Sequence, residues 1–211
     1  MSRASYHSPR RQQAAAATRE AIIEAAQELF ATQGYGRTTV AQIAEAARVA
    51  ANTVYTSVGG KPQLLAAITE EGTGDPDVAG TLTAVARTTD PAEVIRLTAA
   101  GTRRVNERRA KAVAVLLDSA QADPAAAEML RITVCRYRDA LAALARRLED
   151  LGAVEPSDLN RTAGIFWYLF GWTSWRTLTI DLGWTWNQAE HWLTQRGIDA
   201  LLPAAHGDDA Q

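Results

Sequence analysis

The residues best suited to chemistry form a short polar run that starts at Ala50. Ala50 and Ala51 are small enough to let a helix approach the edges of DNA bases, and the carboxamide of Asn52 can pair with adenine through two hydrogen bonds. The hydroxyl of Tyr55 can reach a phosphate. Lys61 lies at the predicted start of the next helix, where its charge and the free backbone N–H groups can hold a phosphate together. These side chains predict recognition of double-stranded DNA.

The helix before this run has two candidate starts, because Thr38 and Thr39 are both good N-caps. If Thr39 is the cap, Gln42 occupies the third helical position. The two residues then complete a capping box, in which each side chain bonds to the backbone N–H of the other.

A longer helix precedes these two, since apolar residues recur at the helical period between 22 and 30. The helix that carries the polar run covers 50–56 and is broken by Val58-Gly59-Gly60. Two short helices joined by a tight turn and braced by a longer one form the geometry that places a helix in the major groove. The sequence therefore predicts a helix-turn-helix module from about Thr18 to Lys61.

The charge distribution is uneven, and its basic part lies at the N-terminus, where the module is predicted. The 211 residues carry a formal charge of −2, but residues 1–65 hold seven basic and four acidic side chains. The rest of the chain is acidic. A basic N-terminal portion on an acidic body is typical of a DNA-binding head on a scaffold that does not bind DNA.

Other classes of protein find little support. There is no Gly-rich phosphate loop, no metal-ligand spacing among the three histidines and no nucleophile with a placed base. We therefore expect no catalytic residues, no metal and no cofactor. The single cysteine, Cys135, allows no intramolecular disulfide, and the longest apolar cluster, 164–172, is too short to span a membrane. With no signal peptide visible, the expected location is the cytoplasm.

The remainder of the chain also has a helical pattern throughout. We predict helices over about 90–108, 111–121, 124–151, 156–182 and 187–202. The fold class is thus all-α, with an N-terminal three-helix helix-turn-helix domain and a C-terminal helical domain for ligand binding and dimerisation. The predicted boundaries are 1–13 for a disordered N-terminal arm, 14–72 for the DNA-binding domain and 73–211 for the C-terminal domain.

A set of residues at fixed spacing resembles the tetracycline-repressor (TetR) family of transcriptional regulators. The resemblance covers roughly fifty residues: Ile23, Ala25, Ala26, Leu29, Phe30, Gly34, Tyr35, Thr39, Val40, Ile43, Ala44, Ala47, Val49, Thr53, Val54, Tyr55, Lys61, Leu64 and Leu65. The ending Gly183-Trp184, Ala189-Glu190 and Trp192-Leu193 resembles an actinobacterial-type subgroup of that family.

Several positions depart from the family pattern. Arg48 stands where the turn usually has glycine, which matters if the backbone there requires a positive φ. Ala50 and Asn52 replace a common serine and glycine, and Ser57 and Val58 replace common aromatic or histidine residues. These changes affect the DNA contacts rather than the module.

The resemblance implies a mechanism. Such proteins are usually homodimers that bind a near-palindromic operator, with recognition helices about 34–36 Å apart. A small apolar or aromatic effector in the C-terminal domain changes that separation and releases the DNA. The alternative is a ligand-binding or interaction protein of the same fold with weak or lost DNA binding. The expected DNA-binding residues are Arg37, Thr38, Thr39, Gln42, Arg48, Ala50, Ala51, Asn52, Thr53, Tyr55, Thr56, Ser57 and Lys61.

All six tryptophans lie between residues 167 and 192, and they have two interpretations. Aromatic residues line pockets for apolar ligands, and they also fill cores and dimer interfaces. Pocket candidates are Asn106, Asp118, Tyr137, Thr162, Phe166, Trp167 and Phe170. The last two helices form the dimer interface in the family, so interface candidates are Tyr168, Gly171, Trp172, Trp175, His191 and Trp192.

Overall fold

The computed structural model describes residues 9–70 and 75–202. Helices make up the regular secondary structure of these residues, as predicted, with no strand in either range. In chain order they are α1 (Pro9–Gln33), α2 (Val40–Ala46), α3 (Ala51–Ser57), α4 (Lys61–Glu70), α5 (Pro76–Arg87), α6 (Pro91–Ala122), α7 (Pro124–Asp150), a 3₁₀ turn (Pro156–Asp158), α8 (Leu159–Phe170), α9 (Trp172–Arg176), a π turn (Thr177–Asp181) and α10 (Trp186–Leu201).

The chain divides into two compact units. The first contains Met1–Thr73 and Lys111–Arg131, and the second contains Gly74–Ala110 and Ile132–Gln211. The middle of the chain thus groups with the N-terminal helices, whereas the sequence assigned all of 73–211 to one C-terminal domain. The reason is that α6 and α7 are long helices that each contribute residues to both units.

The first unit has its own hydrophobic core. Side chains at the helical period of α1 meet the buried faces of the short helices that follow. Ile22, Phe30, Ile43, Val54 and Leu64 are essentially inaccessible to solvent. Because α2 and α3 each have only seven residues, they depend on this packing rather than on intrinsic helix propensity.

The second unit is built around aromatic and aliphatic side chains from α6, α7, α8 and α10. Ile95, Leu148, Phe166, Phe170 and Leu193 are fully buried there. No helix in the described ranges is long and apolar enough to cross a membrane.

Three helix boundaries differ from the prediction. α1 begins at Pro9 rather than at residue 14, so 9–13 are helical instead of disordered, while the rest of the predicted arm lies outside the described residues. α6 continues through 108–111 because no residue there breaks a helix. The predicted helix 156–182 is interrupted at Gly171, where a Cβ atom would lie 2.4 Å from the carbonyl oxygen of Trp167.

Candidate nucleic-acid interface

The start of α2 has the capping box that the sequence predicts with Thr39 as the N-cap. The backbone N–H of Gln42 donates to Thr39 Oγ1 at 3.3 Å, and the backbone N–H of Thr39 donates to Gln42 Oε1 at 2.8 Å. Both side chains are exposed. The capping box fixes the N-terminus of α2 at Thr39.

Thr38 has a structural role instead of the predicted DNA contact. Its side chain is only 1% exposed, and Oγ1 donates to the carbonyl oxygens of Leu29 at 3.2 Å and Gly34 at 2.9 Å. A hydroxyl committed in this way holds the connection between α1 and α2 and is not available to DNA. Sequence spacing alone could not distinguish Thr38 from Thr39. The two residues are adjacent, and the backbone before α2 decides which side chain is buried and which is exposed.

The helix α3 has two distinct faces. Val54 is fully buried against the core of the first unit, whereas Ala51, Asn52, Tyr55 and Thr56 are exposed. Tyr55 exposes 57% of its surface, which is unusual for an aromatic residue on a well-packed helix. The carboxamide of Asn52 makes no hydrogen bond within the described residues. This face therefore offers polar groups that a base edge could pair with.

The remaining residues of the predicted set lie around this face. Ala50 is the N-cap of α3 and is exposed, while Thr53 and Ser57 are half-buried on its flanks. The hydroxyl of Thr56 donates to the carbonyl oxygen of Asn52 at 3.0 Å. Thr56 is thus partly occupied by its own helix.

The turn between α2 and α3 is closed by a Schellman motif. The backbone N–H of Arg48 donates to Glu45 O at 3.0 Å, and that of Val49 donates to Ala44 O at 2.9 Å. The motif requires a left-handed residue at its centre, and Arg48 has φ 56°, the one positive φ among the non-glycine residues that the structure describes. The turn therefore does require the conformation that glycine usually supplies.

Two basic residues of the predicted set brace the loop before α2. Arg37 Nε donates to the carbonyl oxygen of Gln33 at 2.6 Å, at the end of α1. The ammonium of Lys61 donates to the carbonyl oxygen of Tyr35 and lies 4.3 Å from the centre of its ring. Partial burial lowers the pKa of Lys61. Lys61 thus has an internal partner in addition to any phosphate.

The comparisons with known proteins identify this module. Residues 22–68, from α1 to α4, match the model of a family described as bacterial regulatory proteins, tetR family. Residues 22–68 form a tetR-family DNA-binding domain. The exposed face of α3 lies within the matched segment, which supports a DNA-binding regulatory role for this module.

Several solved structures resemble most of the chain in fold. The fatty acid degradation regulator FadR from Bacillus halodurans is 19% identical with a TM-score of 0.68, covering 90% of this chain and 96% of that one. The TetR-family regulator PfmR from Thermus thermophilus is 20% identical with a TM-score of 0.63, covering 85% and 93%. AibR, in complex with isovaleryl coenzyme A and operator DNA, is 21% identical with a TM-score of 0.61, covering 88% and 98%. No curated protein matches the chain significantly. At these identities the likeness establishes the fold.

The second unit contains a cavity of about 40 Å³. Its lining is apolar and comes from α5, α6 and α7 rather than from the aromatic helix α8. The lining residues are Val78, Thr81, Leu82, Gly101, Thr102, Val105, Tyr137, Ala140, Leu141 and Leu144. The one sequence signal for it is Gly101, a glycine inside a helix, where a Cβ atom would lie 2.1 Å from Thr81 Oγ1.

Of the seven predicted pocket residues, Tyr137 lines this cavity. Its hydroxyl donates to the carbonyl oxygen of Phe170 at 2.6 Å and accepts from Asn106 Nδ2 at 3.2 Å. Burial raises the pKa of this hydroxyl, so it stays protonated. The interruption at Gly171 leaves the Phe170 carbonyl without a helical partner, and Tyr137 caps it.

The other predicted pocket residues lie elsewhere. Phe166 and Phe170 are fully buried in the hydrophobic core, Thr162 is buried on α8, and Trp167 packs edge-on against Tyr137. Asp118 is exposed and belongs to the first unit, 3.6 Å from where a Cβ atom of Gly34 would be. Asp118 is therefore not a pocket residue of the second unit.

The predicted dimer-interface residues separate into two groups. Tyr168, His191 and Trp192 are exposed, as an interface requires. Trp175 is 1% exposed and stacks on Trp186 with ring centres 5.8 Å apart. Gly171 is buried, and Trp172 stacks on Tyr137. These three residues pack within the protomer, and their place in a dimer interface stays a prediction.

Replacing Tyr137 by phenylalanine tests the capping role. We expect a loss of about 1–2 kcal/mol in the free energy of unfolding, because the carbonyl of Phe170 and the amide of Asn106 lose a partner. Urea denaturation followed by tryptophan fluorescence reports this loss directly, since all six tryptophans lie in the second unit. Tyr168→Phe is the matched control, because Tyr168 is 76% exposed. Equal stability of the two variants would contradict the capping role.

Proposed function

We propose that this protein is a TetR-family repressor that binds a near-palindromic operator as a homodimer and is released by a small apolar effector. The observation that carries the proposal is the exposed polar face of α3, opposite the buried Val54, in a module closed by a capping box and a Schellman motif. One protomer presents one such helix. A near-palindromic operator would engage two of them, one DNA turn apart.

The proposed DNA contacts are those predicted residues that remain exposed. Asn52 would read a base edge, and Tyr55 and Arg48 would contact phosphates. Thr39 and Gln42, at the start of α2, would contact the backbone beside the groove. Exposure supports each assignment, and Thr38 is not among the proposed contacts because it is buried.

The proposed homodimer uses the exposed aromatic residues of α8 and α10. Tyr168 and Trp192 expose 76% and 41% of their surfaces. An apolar surface of this kind favours burial against another protein surface. A regulator of this kind works on chromosomal DNA, so we propose that it acts in the cytoplasm and has no catalytic activity of its own.

The cavity in the second unit is the proposed effector site. AibR is in complex with isovaleryl coenzyme A and operator DNA, and another similar structure is a complex of SmeT with triclosan. An effector in the present protein would act by linkage, binding more tightly to the form that does not bind DNA.

The direct test is a mobility shift with DNA from beside the protein's own gene. We expect binding at nanomolar protein concentration that weakens by at least about 100-fold between 50 and 200 mM salt, because several phosphate contacts release counterions. Light scattering should give twice the protomer mass. A failure to shift any such fragment at low salt would favour a ligand-binding protein of the same fold that has lost DNA binding.

Arg48 provides a test in which stability and affinity change in opposite directions. In Arg48→Gly the left-handed strain is relieved, so we expect the free energy of unfolding to rise by about 1 kcal/mol, the relief being partly offset by the greater freedom of glycine in the unfolded chain. The guanidinium is exposed and has no partner among the described residues. Its loss should weaken DNA binding several-fold at all sequences and reduce the salt slope by about one.

Circular dichroism at 222 nm measures the stability of this variant, and fluorescence anisotropy of labelled DNA measures its affinity. Arg48→Lys is the matched control, because it keeps both the charge and the left-handed strain. If Arg48→Gly gains stability while its DNA affinity and salt slope stay unchanged, Arg48 makes no phosphate contact.

A further inference from the structure

The cavity of the second unit, which we name the slot, is small and has no charged residue in its lining. The lining residues are aliphatic or small apart from Thr81, Thr102 and Tyr137, and Tyr137 is already bonded to Phe170. Its volume of about 40 Å³ is far below the 300–1,000 Å³ of pockets that enclose drug-sized ligands. A single alkyl chain is the apolar group with the smallest cross-section, so it is the group that enters such a slot with the least rearrangement.

Two arginines lie at the edge of this slot. Arg104 Nη2 is 3.4 Å from Oγ1 of Thr81, which is a lining residue. Arg104 and Arg108 follow the lining residues Gly101 and Val105 on the same helix, and each exposes about half of its side chain. An anion bound to Arg104 would therefore lie close to the lining residue Thr81, with Arg108 one turn further along the helix.

These arginines pair with two carboxylates of unequal exposure. Asp75 is 1% exposed, pairs with Arg108 and caps α5 by accepting from the backbone N–H of Asp77 at 2.9 Å. Asp77 is 26% exposed and pairs with Arg108 and, at 3.2 Å, with Arg104. Asp77 is thus the carboxylate that a competing anion could displace, because its pairs are partly exposed and contribute little.

We propose that the effector has one alkyl chain and an anionic head group, the chain occupying the slot and the head replacing Asp77 on Arg104 and Arg108. This inference rests on the proposed function, whose effector site it specifies. The head group adds one negative charge to a cluster in which two arginines otherwise balance two aspartates. It frees the carboxylate of Asp77 in the first turn of α5, the helix that follows α4 in the chain.

Two sources supply this chemistry, a free fatty carboxylate and an acyl-coenzyme A. Both carry a single chain, and their anionic groups differ in distance from it. Isothermal titration of the full-length protein, without DNA, compares straight-chain carboxylates of increasing length with the acyl-coenzyme A of the same chain. The tighter binder identifies the source.

The chain-length series gives the first expected result. The Kd should fall about fourfold for each added methylene, which corresponds to about 0.8 kcal/mol, until the slot is full. The primary alcohol of the same length should bind about 5–10-fold more weakly than the carboxylate, because it lacks the charge-assisted bonds to the arginines. Equal affinity of alcohol and carboxylate, or no dependence on chain length, would overturn the proposal.

Variants of the charged residues at the head-group position test the role of each charge individually. Arg104→Gln should weaken carboxylate binding several-fold, because one of the two guanidinium groups is lost, and leave alcohol binding unchanged. Arg96→Gln is the matched control, because Arg96 is an exposed, paired arginine of α6 outside the slot. Asp77→Asn removes the competing carboxylate and should tighten carboxylate binding several-fold. Unchanged or weaker binding in Asp77→Asn would contradict the exchange.

Variants in the slot test where the chain lies. Gly101→Ala should weaken the carboxylate and the alcohol alike, whereas Gly80→Ala, which meets open space on α5, should weaken neither. If Gly101→Ala fails to fold, Ala140→Leu narrows the slot from a half-buried position and should have the same effect. Because these titrations omit DNA, a protein that shifts DNA but binds no carboxylate refutes the effector class alone, and one that binds carboxylate but no DNA refutes the repressor function.

Discussion

Replacement of Trp175 by alanine should lower the free energy of unfolding by about 3–5 kcal/mol. The indole is 1% exposed, stacks on Trp186 and belongs to the main core of the second unit. Its removal leaves a large cavity among side chains from several helices, which cannot collapse around it without moving. Urea denaturation followed by the remaining tryptophans measures the loss.

Two variants make this prediction specific. Trp192→Ala removes an indole that is 41% exposed, so we expect it to cost at most about 1 kcal/mol in protomer stability and to weaken dimerisation instead. Trp175→Phe should cost much less than Trp175→Ala. The indole N–H of Trp175 is buried without a hydrogen-bond partner among the described residues, so phenylalanine forfeits no bond. A stable Trp175→Ala protomer that no longer dimerises would show that Trp175 is an interface residue after all.

The sequence predicts best those features whose causes are local. The capping box of Thr39 and Gln42 involves residues three positions apart, so the sequence pattern almost determines its geometry. The need for a left-handed residue at Arg48 also follows from a local pattern, the usual glycine at that position. There, however, the chain has a residue that gives no local sign of the conformation, and only the backbone reveals it.

The sequence could not predict which aromatic side chains of this region are buried, because the helix that carries them is interrupted. A continuous helix over 156–182 would place Tyr168, Trp172 and Trp175 along one side at i, i+4 and i+7. The break at Gly171 changes the direction of the chain, so Tyr168 is exposed while Trp175 is buried. Which side of a helix faces the core is then decided by packing partners far away in the chain.

The length of α6 is a second reason why pocket residues could not be identified from the sequence. Asn106 and Asp118 lie on the same helix α6, and both are polar residues at plausible pocket positions. Asn106 is buried and bonded to Tyr137 in the second unit, whereas Asp118 is exposed in the first. At 1.5 Å per residue the twelve positions between them span about 18 Å, which takes the helix out of one unit and into the other.

The largest effect on DNA binding is expected at Asn52. Asn52→Ala should weaken binding to the preferred operator by about 10–100-fold, the equivalent of one bidentate base contact at 1–3 kcal/mol. The side chain is exposed on α3 and has no hydrogen-bond partner among the described residues, so its loss should leave stability unchanged. Fluorescence anisotropy with operator DNA and with unrelated DNA measures the two affinities.

The salt dependence then separates reading of bases from attraction to phosphates. A carboxamide releases no counterion, so Asn52→Ala should keep the salt slope of the parent protein and its affinity for unrelated DNA, unlike Arg48→Gly. Asn160→Ala is the matched control, because Asn160 is an exposed asparagine on α8 in the second unit. Equal weakening on operator and unrelated DNA would mean that Asn52 contacts the backbone. Sequence preference would then come from other groups on the same face, or from the deformability of the operator itself.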